Sequence, residues 1–386
     1  MKRESFGRRQ FITSVAMSSL GFMLINPASS FGNIIEQLDK SKKSDLLFYT
    51  DSKGKKRRVT TLVEWGIKRR QILDRMEQAM GQLPHFSNLP GMDIQILDEV
   101  KEVGYSRQII SFLVAKNERV SAYLYIPFQK GKQEKLPAVL ALHPTGDLGK
   151  KIVDGQGPLS NRAYAKELAQ RGYVVIAPDY PGFGDLKEYD FNTDRYQSGT
   201  MKGIFDNMLC VDLLIARKDV DSDRIGVIGH SLGGHNAIFT GAFDKRLKVI
   251  VSSCGWTLLD YYNAGEAVTK KFGGTLGPWA QEQYMPLLRD KYHLNIKKMP
   301  FDFDEVIAAL APRAFFSNSP VNDGNFNVKG VKKGIAEISE VYYFLGAKDQ
   351  LEVRYPNCEH DFPVEVRFEA YGFLDEVLKL NYRNKK

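Results

Sequence analysis

Ser231 is the residue whose surroundings first suggest chemistry, because it lies in the segment Gly229 to Gly233 between an apolar run and a helical pattern. A serine hydroxyl attacks a carbonyl group only when a neighbouring base removes its proton. The pattern G-x-S-x-G is common by chance, but here it follows the apolar run RIGVIG and opens a helix. That context predicts a tight strand-to-helix turn that holds the hydroxyl clear of the backbone. The alternative is a serine that only caps the helix.

The base for this serine has to come from one of six histidines. His360 is the best placed of them, because it follows the last predicted strand and precedes the last predicted helix. The other five lie in an N-terminal loop, at the end of a strand, beside the serine turn or in a long insertion: His85, His143, His230, His235 and His293. We therefore predict His360 as the general base, the alternative being a histidine that only packs a loop.

The acid that orients this imidazole should follow the strand before the one that precedes His360. Asp323 lies in such a loop, after the run RAFFSN. Asp349 precedes its strand and therefore lies at the opposite end of the sheet, and Asp361 is adjacent to His360 and cannot easily reach back to that ring. Asp260 follows an earlier strand and remains an alternative. The predicted catalytic set is Ser231, His360 and Asp323.

Negative charge on the attacked carbonyl oxygen needs two backbone N–H donors. Leu232, the residue after the nucleophile, is predicted to supply one. The second should come from the loop after the run LPAVLALH, where Pro144 has no N–H and Thr145 or Gly146 must donate, with Thr145 favoured. His143 is predicted as a substrate-binding residue that also braces this loop by hydrogen bonding and does not transfer a proton.

The elements that must position these residues alternate regularly from residue 136 onward. Their strands are too apolar to have a solvated face, which predicts a mainly parallel sheet covered by helices on both sides and hence an α/β fold. In such sheets ligands gather at the carboxyl ends of the strands. Three β-rich runs between 94 and 127 predict antiparallel hairpins at one edge. The predicted strands are 136–143, 173–179, 224–229, 247–254, 313–318 and 351–356, and the predicted helices are 160–171, 203–217, 233–242, 328–345 and 363–380.

A segment of roughly 50 residues, 256–305, interrupts this series and is too long for a plain loop. We predict that it forms a cap over the site. It is rich in aromatic residues, namely Trp256, Tyr261, Tyr262, Trp279 and Tyr284. Such residues suit stacking on sugar rings, and Trp256 is predicted to bind substrate. The alternative is that these rings form the core of the cap.

The N-terminus has the three parts of an export signal in residues 1–30: a charged start, an apolar stretch and small residues before a cleavage point. Arg8 and Arg9 resemble a twin-arginine signature, although an ordinary secretory signal remains an alternative. Residues 31–94 are predicted as an extension that carries an amphipathic helix, and 95–386 as the catalytic domain. We expect an exported protein, periplasmic or secreted, with no stable membrane insertion after the signal is removed.

The charge and the cysteine content of the chain disfavour several other classes of protein. The formal net charge of +8 is scattered, and no basic face interleaved with aromatic residues predicts nucleic-acid binding. Three cysteines are too few for a disulfide framework, although Cys254 and Cys358 could pair if their strand ends meet. No metal-ligand spacing appears, so neither a metal nor a cofactor is predicted. The oligomeric state is not predicted.

With these residues in place, the chain from 95 to 386 resembles the α/β-hydrolase superfamily, and within it the dienelactone-hydrolase-like and acetyl-xylan-esterase-like exported esterases. The motifs that carry the resemblance are HPTG, APDYPGFGD, DSDRIGVIGHSLGGHNA, APRAFFSNSPVNDGNF and CEHDFP. The resemblance implies hydrolysis of carboxylic esters through a serine acyl-enzyme. HPTG departs from the H-G-G loop of lipases, which disfavours bulky acyl chains, and a serine nucleophile points to ordinary ester hydrolysis.

The resemblance and the aromatic insertion together favour a carbohydrate esterase acting on a small-molecule or oligosaccharide ester, such as an acetylated polysaccharide fragment. A serine peptidase of the same fold would keep the three catalytic residues but normally needs a recognition domain for the peptide. A non-catalytic carbohydrate-binding relative is disfavoured because every catalytic position is filled.

Overall fold

The computed structural model describes residues 45–85, 89, 91–129, 134–192 and 195–380. The predicted export signal lies outside these residues, as does the first part of the predicted N-terminal extension.

A nine-stranded sheet forms the centre of the described chain, in the order β11-β10-β9-β8-β6-β7-β5-β4-β3. Strands β6 to β11 pair in parallel, whereas β3, β4 and β5 add an antiparallel edge next to β7. The strands of this sheet are β3 (Gln95–Glu102), β4 (Tyr105–Ala115), β5 (Glu118–Pro127), β6 (Leu136–Leu142), β7 (Val174–Pro178), β8 (Val220–His230), β9 (Leu247–Ser253), β10 (Ala314–Asn318) and β11 (Leu351–Arg354). The mainly parallel α/β sheet predicted from the sequence is confirmed.

Helices cover both faces of the sheet, as the apolar strands require. They are α1 (Leu62–Met80), α2 (Tyr164–Arg171), α3 (Gly199–Ala216), α4 (Leu232–Phe243), α5 (Glu266–Phe272), α6 (Leu287–Asp290), α7 (Phe303–Ala308), α8 (Val328–Phe344) and α9 (Val364–Val377). Along β6, Ala138 and Leu140 join the core shared with α1, α3, α4 and α8, while Val139 and Ala141 join the core shared with α2 and α9. Successive side chains of a strand point to opposite faces, so each face is packed separately.

The predicted N-terminal extension contains two short strands in addition to its amphipathic helix. Phe48–Thr50 (β1) and Lys56–Arg58 (β2) form a small antiparallel hairpin. Helix α1 follows it and covers the amphipathic segment. Thr61 begins that helix with a reciprocal capping arrangement, in which its side chain accepts from the N–H of Glu64 and the Glu64 carboxylate accepts from the N–H of Thr61.

The insertion after β9 is built from short helices and single turns. Its two ends are tied together by Asp302, whose carboxylate accepts hydrogen bonds from the N–H of Leu259 at 3.1 Å and from the N–H of Phe303 at 2.7 Å. Within the described residues, no helix has both the length and the apolar character needed to cross a bilayer.

Candidate active site

Ser231 lies between the end of β8 and the start of α4, at the carboxyl end of a central strand. Its φ of 55° and ψ of −116° are strained for a residue with a side chain. The strand and the helix approach so closely that a Cβ on Gly229 would lie 2.1 Å from the Gly233 carbonyl oxygen, and one on Gly233 would lie 2.0 Å from that of Leu142. The local sequence therefore enforces the sharp turn that presents the serine.

His360 and Asp323 meet at the same end of the sheet. The Nδ1 atom of His360 lies 2.9 Å from Oδ2 of Asp323, and Oδ1 of Asp323 accepts from the backbone N–H groups of Asn325 at 2.9 Å and Phe326 at 3.0 Å. The carboxylate side chain is 1% exposed and the imidazole 27% exposed. Burial alone would raise the pKa of Asp323, but the hydrogen bonds from His360 and the two N–H groups outweigh it and lower that pKa.

The imidazole of His360 also lies next to the serine turn. Its ring centroid is 5.1 Å from that of His230, the residue before Ser231. Because Nδ1 faces Asp323, Nε2 is the nitrogen left for a proton from the serine. The Ser231 hydroxyl makes no hydrogen bond to any other described residue. Nucleophile-to-base hydrogen bonds are often long in enzymes without substrate and tighten when it binds.

The other candidate acids lie elsewhere. Asp260 is exposed. Asp361 accepts hydrogen bonds from Arg162 at 2.6 Å and from Asn161 at 2.7 Å. Among the acids considered from the sequence, Asp323 is thus the one that the structure brings to the imidazole of His360.

The predicted oxyanion donors lie on neighbouring elements. Leu232 is the first residue of α4, and N–H groups of a first helical turn have no acceptor within the helix. Thr145 is exposed in the loop after β6, and Leu142 at the end of that strand pairs with Gly229. The two strand ends are therefore adjacent. Burial raises the pKa of Tyr284, and the nearby Thr145 side chain opposes that rise, so the insertion reaches this loop.

His143 lies on the buried side of the loop after β6 and not on its exposed side. It is 2% exposed, its Nε2 accepts from the backbone N–H of Tyr180 at 2.9 Å, and its Nδ1 lies 2.7 Å from the Pro144 carbonyl oxygen. Nδ1 thus carries the hydrogen. Burial lowers the pKa of His143, so the ring is neutral. It braces the loop as expected, but it is too buried to contact a substrate directly.

The prediction for Trp256 has to be corrected. The sequence predicts it as a substrate-binding residue, but its side chain is 1% exposed and its indole N–H donates to the Ser317 hydroxyl at 2.9 Å. It follows β9 so closely that it packs into the core between the sheet and α8. Rings that lie near the site belong instead to Trp279 and Tyr284, further along the same insertion.

A buried ion pair that was not predicted from the sequence stabilises the loop after β6. The carboxylate of Asp179 accepts from the backbone N–H of Lys150 at 2.7 Å, from its ammonium group at 2.5 Å and from the N–H of Asp185 at 2.9 Å. The side chains of Lys150 and Asp179 are 1% and 0% exposed. A lysine in a loop gives no sequence signal of burial until its partner is known.

The thiols of Cys254 and Cys358 are both free, so the pairing left open by the sequence does not form. One group of side chains in the described part of the chain could hold a metal ion: Cys254, Asp323 and His360 place ligand atoms within 4.8 Å of one another. Burial raises the pKa of Cys254 well above its ordinary value, which disfavours the thiolate that a metal would need.

The family model described as the prolyl oligopeptidase family matches residues 160–301, which include Ser231 but neither Asp323 nor His360. A putative hydrolase, YtaP, of Bacillus subtilis is 31% identical over 272 residues, covering 68% of this chain and 85% of that protein. A putative carboxymethylenebutenolidase of Saccharomyces cerevisiae is 33% identical over 213 residues, covering 48% of this chain and 74% of that protein.

The solved structure of a glucuronoyl esterase from Solibacter usitatus shares the fold with a TM-score of 0.64 at 19% identity, over 84% of this chain and 95% of that one. The resemblance predicted from the motifs is thereby confirmed. The chain belongs to the α/β-hydrolase superfamily, where its relatives include the putative hydrolase YtaP and the putative carboxymethylenebutenolidase, a dienelactone-hydrolase-like enzyme.

Proposed function

We propose that this protein is an exported serine esterase that hydrolyses carboxylic esters of carbohydrates. The observation that carries the proposal is the pairing of His360 with Asp323 at 2.9 Å beside the strained turn at Ser231. A nucleophile, a base and an orienting acid from three separate loops have little reason to converge on a surface without chemistry.

In the first step, the Ser231 oxygen forms a bond to the ester carbonyl carbon while its proton passes to Nε2 of His360. Asp323 accepts the Nδ1 hydrogen and stabilises the imidazolium. The N–H groups of Leu232 and Thr145 would donate to the carbonyl oxygen as it gains negative charge. The bond between carbon and the alcohol oxygen then breaks, and His360 returns the proton to the departing alcohol.

In the second step, His360 takes a proton from water, whose oxygen attacks the acyl-enzyme carbonyl carbon. The bond to Ser231 breaks, the proton returns to the serine oxygen, and the carboxylic acid leaves. This step also relies on the orientation of the imidazole by Asp323, which stays ionised because hydrogen bonds lower its pKa.

The substrate class is inferred from two observations. The insertion places Trp279 and Tyr284 next to the elements that carry the catalytic residues, and aromatic rings suit sugar surfaces. The solved protein of the same fold from Solibacter usitatus is named a glucuronoyl esterase. Export is inferred from the signal predicted in residues 1–30.

The experiment compares the wild type with Ser231→Ala on 4-nitrophenyl acetate and on acetylated xylan oligomers. We expect the variant to lose at least about 10⁴-fold in kcat on both substrates. Ser339→Ala is the control, since its hydroxyl donates to the Ile335 carbonyl within α8, and it should keep wild-type activity. Wild-type protein that releases acetate from neither substrate would contradict the proposal.

A serine peptidase is the second candidate, because the prolyl oligopeptidase family model matches 160–301. The same assay with an aminoacyl-proline 4-nitroanilide separates the two. Release of nitroaniline faster than acetate from the ester substrates would favour the peptidase.

A further inference from the structure

Two buried ring nitrogens close to the nucleophile have no hydrogen-bond partner in the described part of the chain: Nδ1 of His235 and Nε1 of Trp279. Their side chains are 8% and 7% exposed, and the two rings lie 4.7 Å apart between centroids. A buried polar group without a partner costs roughly 1–3 kcal/mol, so two of them side by side call for an explanation.

The pair lies beside the reacting groups. His235 is one turn along α4 from the nucleophile, and its N–H donates to the Ser231 carbonyl at 3.1 Å. On the other side, the ring of Trp279 lies 6.3 Å from that of Phe326, which stacks on the imidazole of His360 at 5.8 Å. A continuous row of rings thus runs from the general base to the helix that follows the nucleophile.

The imidazole of His235 and the indole of Trp279 are both uncharged at neutral pH. Burial lowers the pKa of His235 to about 3, and no charged side chain contributes to that shift. The imidazole therefore has one donor and one acceptor nitrogen at neutral pH, and the indole adds a donor. Burial raises the pKa of Tyr262 to about 12 while the nearby Trp279 N–H opposes the rise, but that N–H forms no hydrogen bond of normal geometry.

A hydroxyl group satisfies both rings at once, since it accepts from an indole N–H and donates to an imidazole nitrogen. A carboxylate would leave the acceptor nitrogen facing an anion, with no cation to offset its charge. We propose that His235 and Trp279 form a subsite that binds a neutral hydroxyl group of the ester substrate next to the scissile bond. This inference rests on the esterase function proposed above.

The test uses matched esters with and without a hydroxyl group. Glycerol monoacetate against propyl acetate probes the alcohol side, and ethyl lactate against ethyl propionate probes the acyl side. The wild type should prefer the hydroxylated member of at least one pair in kcat/KM. Trp279→Phe keeps an aromatic ring but removes the N–H, and should lower that preference, which is the ratio of kcat/KM between the two members of a pair, about 10- to 100-fold.

Trp65→Phe is the matched control, because Trp65 has an indole N–H that is equally buried and unpartnered but lies on α1, which contacts β1, α6 and α7. It should leave both preferences unchanged. His235→Phe is the second variant and should act like Trp279→Phe, with thermal melting as the check that each variant folds.

Activity on the plain esters without any preference for a hydroxyl group in the wild type would overturn the subsite and leave the esterase intact. An equal loss on both members of a pair in Trp279→Phe would overturn it as well. Absence of wild-type activity on all four esters would instead reject the esterase function on which the subsite depends.

Discussion

Two pairs, each of an acidic and a basic side chain, lie at the carboxyl end of the sheet. They differ in how far the basic side chain is exposed. In the pair of Lys150 and Asp179, both side chains are at most 1% exposed, and the ammonium group also contacts Asp185 at 2.6 Å. In the pair of His360 and Asp323, the carboxylate is equally buried, but the imidazole is 27% exposed and its Nε2 has no hydrogen-bond partner among the described residues.

This difference separates a structural pair from a reactive one. A buried charge whose hydrogen-bonding atoms are all satisfied fixes backbone geometry and has no capacity left for a ligand. Asp179 in this way holds Lys150, which follows Thr145 at the far end of the loop after β6. A buried acid that satisfies only one side of an exposed base leaves the other side ready to accept a proton, and this is the arrangement at His360.

The largest effect is expected from Asp323→Asn. The amide cannot stabilise the imidazolium of His360, so kcat on 4-nitrophenyl acetate should fall about 10⁴-fold. Because the folded-state pKa of Asp323 is lowered, its contribution to stability is present above the ordinary value of 3.8 and lost as the pH falls below it. Urea melts should therefore show the stability difference between wild type and variant shrinking towards pH 3.

Asp260→Asn is the control for that loss, since it changes the alternative acid, which is exposed. It should keep kcat within about 2-fold of the wild type. A large loss in Asp260→Asn with little loss in Asp323→Asn would contradict the assignment of the acid and remove the contrast between the two pairs.

The structural pair is tested by Lys150→Met. The substitution leaves the carboxylate of Asp179 buried without its cation, which should cost about 3–5 kcal/mol in the free energy of unfolding. Urea denaturation followed by circular dichroism measures it. Lys187→Met is the control, because Lys187 forms an exposed ion pair with Asp147 at 3.2 Å and should change stability by less than about 1 kcal/mol. Equal effects of the two substitutions would mean that burial of the pair is energetically unimportant.

Asp302 provides a third case, a half-buried carboxylate whose hydrogen bonds within the described residues come from backbone N–H groups. Burial, with a smaller contribution from Asp304, raises its pKa to about 7, and N–H groups of Phe303 and Leu259 only partly oppose the rise. A raised carboxyl pKa favours the protonated folded state, so the wild type should lose stability as the pH rises from about 4 to about 7.

Asp302→Asn keeps an acceptor at this position and removes the charge. Relative to the wild type, it should gain about 2 kcal/mol in unfolding free energy between pH 5 and pH 8, measured by urea melts at both values. A constant difference between wild type and variant across this range would show that Asp302 does not titrate there.

The smallest effect is expected from Trp256→Phe. The loss of the hydrogen bond to Ser317 should cost about 1 kcal/mol or slightly more in stability, and kcat/KM should stay within about 2-fold. A specific loss of activity on acetylated xylan oligomers, with 4-nitrophenyl acetate unaffected, would restore Trp256 to the substrate site and contradict the core position described here.

A feature of this structure could be predicted from the sequence where the residues that determine it lie close together in the chain. The turn at Ser231 was predictable because an apolar strand, the glycines at 229 and 233 and the start of a helix lie together in residues 224–237. The placement of Asp323 and His360 after consecutive strands was predictable from the regular alternation of elements. The burial of Lys150 and Trp256 was not, because each depends on partners far along the chain, Asp179 and Ser317.

The hairpin of β1 and β2 was missed for a related reason. Its strands have three residues each, and the second reads Lys-Arg-Arg, which resembles a solvated loop. Such short strands are stabilised by tertiary packing against α1 and not by their own propensity.

The close approach at Gly229 and Gly233 limits how this enzyme could acquire new specificity. Any side chain at either position would overlap backbone atoms at 2.0–2.1 Å, so variation at these two sites should be eliminated in a selection for activity. The loop after β6 is constrained as well, because a Cβ on Gly233 would also lie 2.9 Å from the carbonyl oxygen of His143. We therefore expect adaptation to a different ester to come from the insertion after β9, and libraries for directed evolution should be concentrated there.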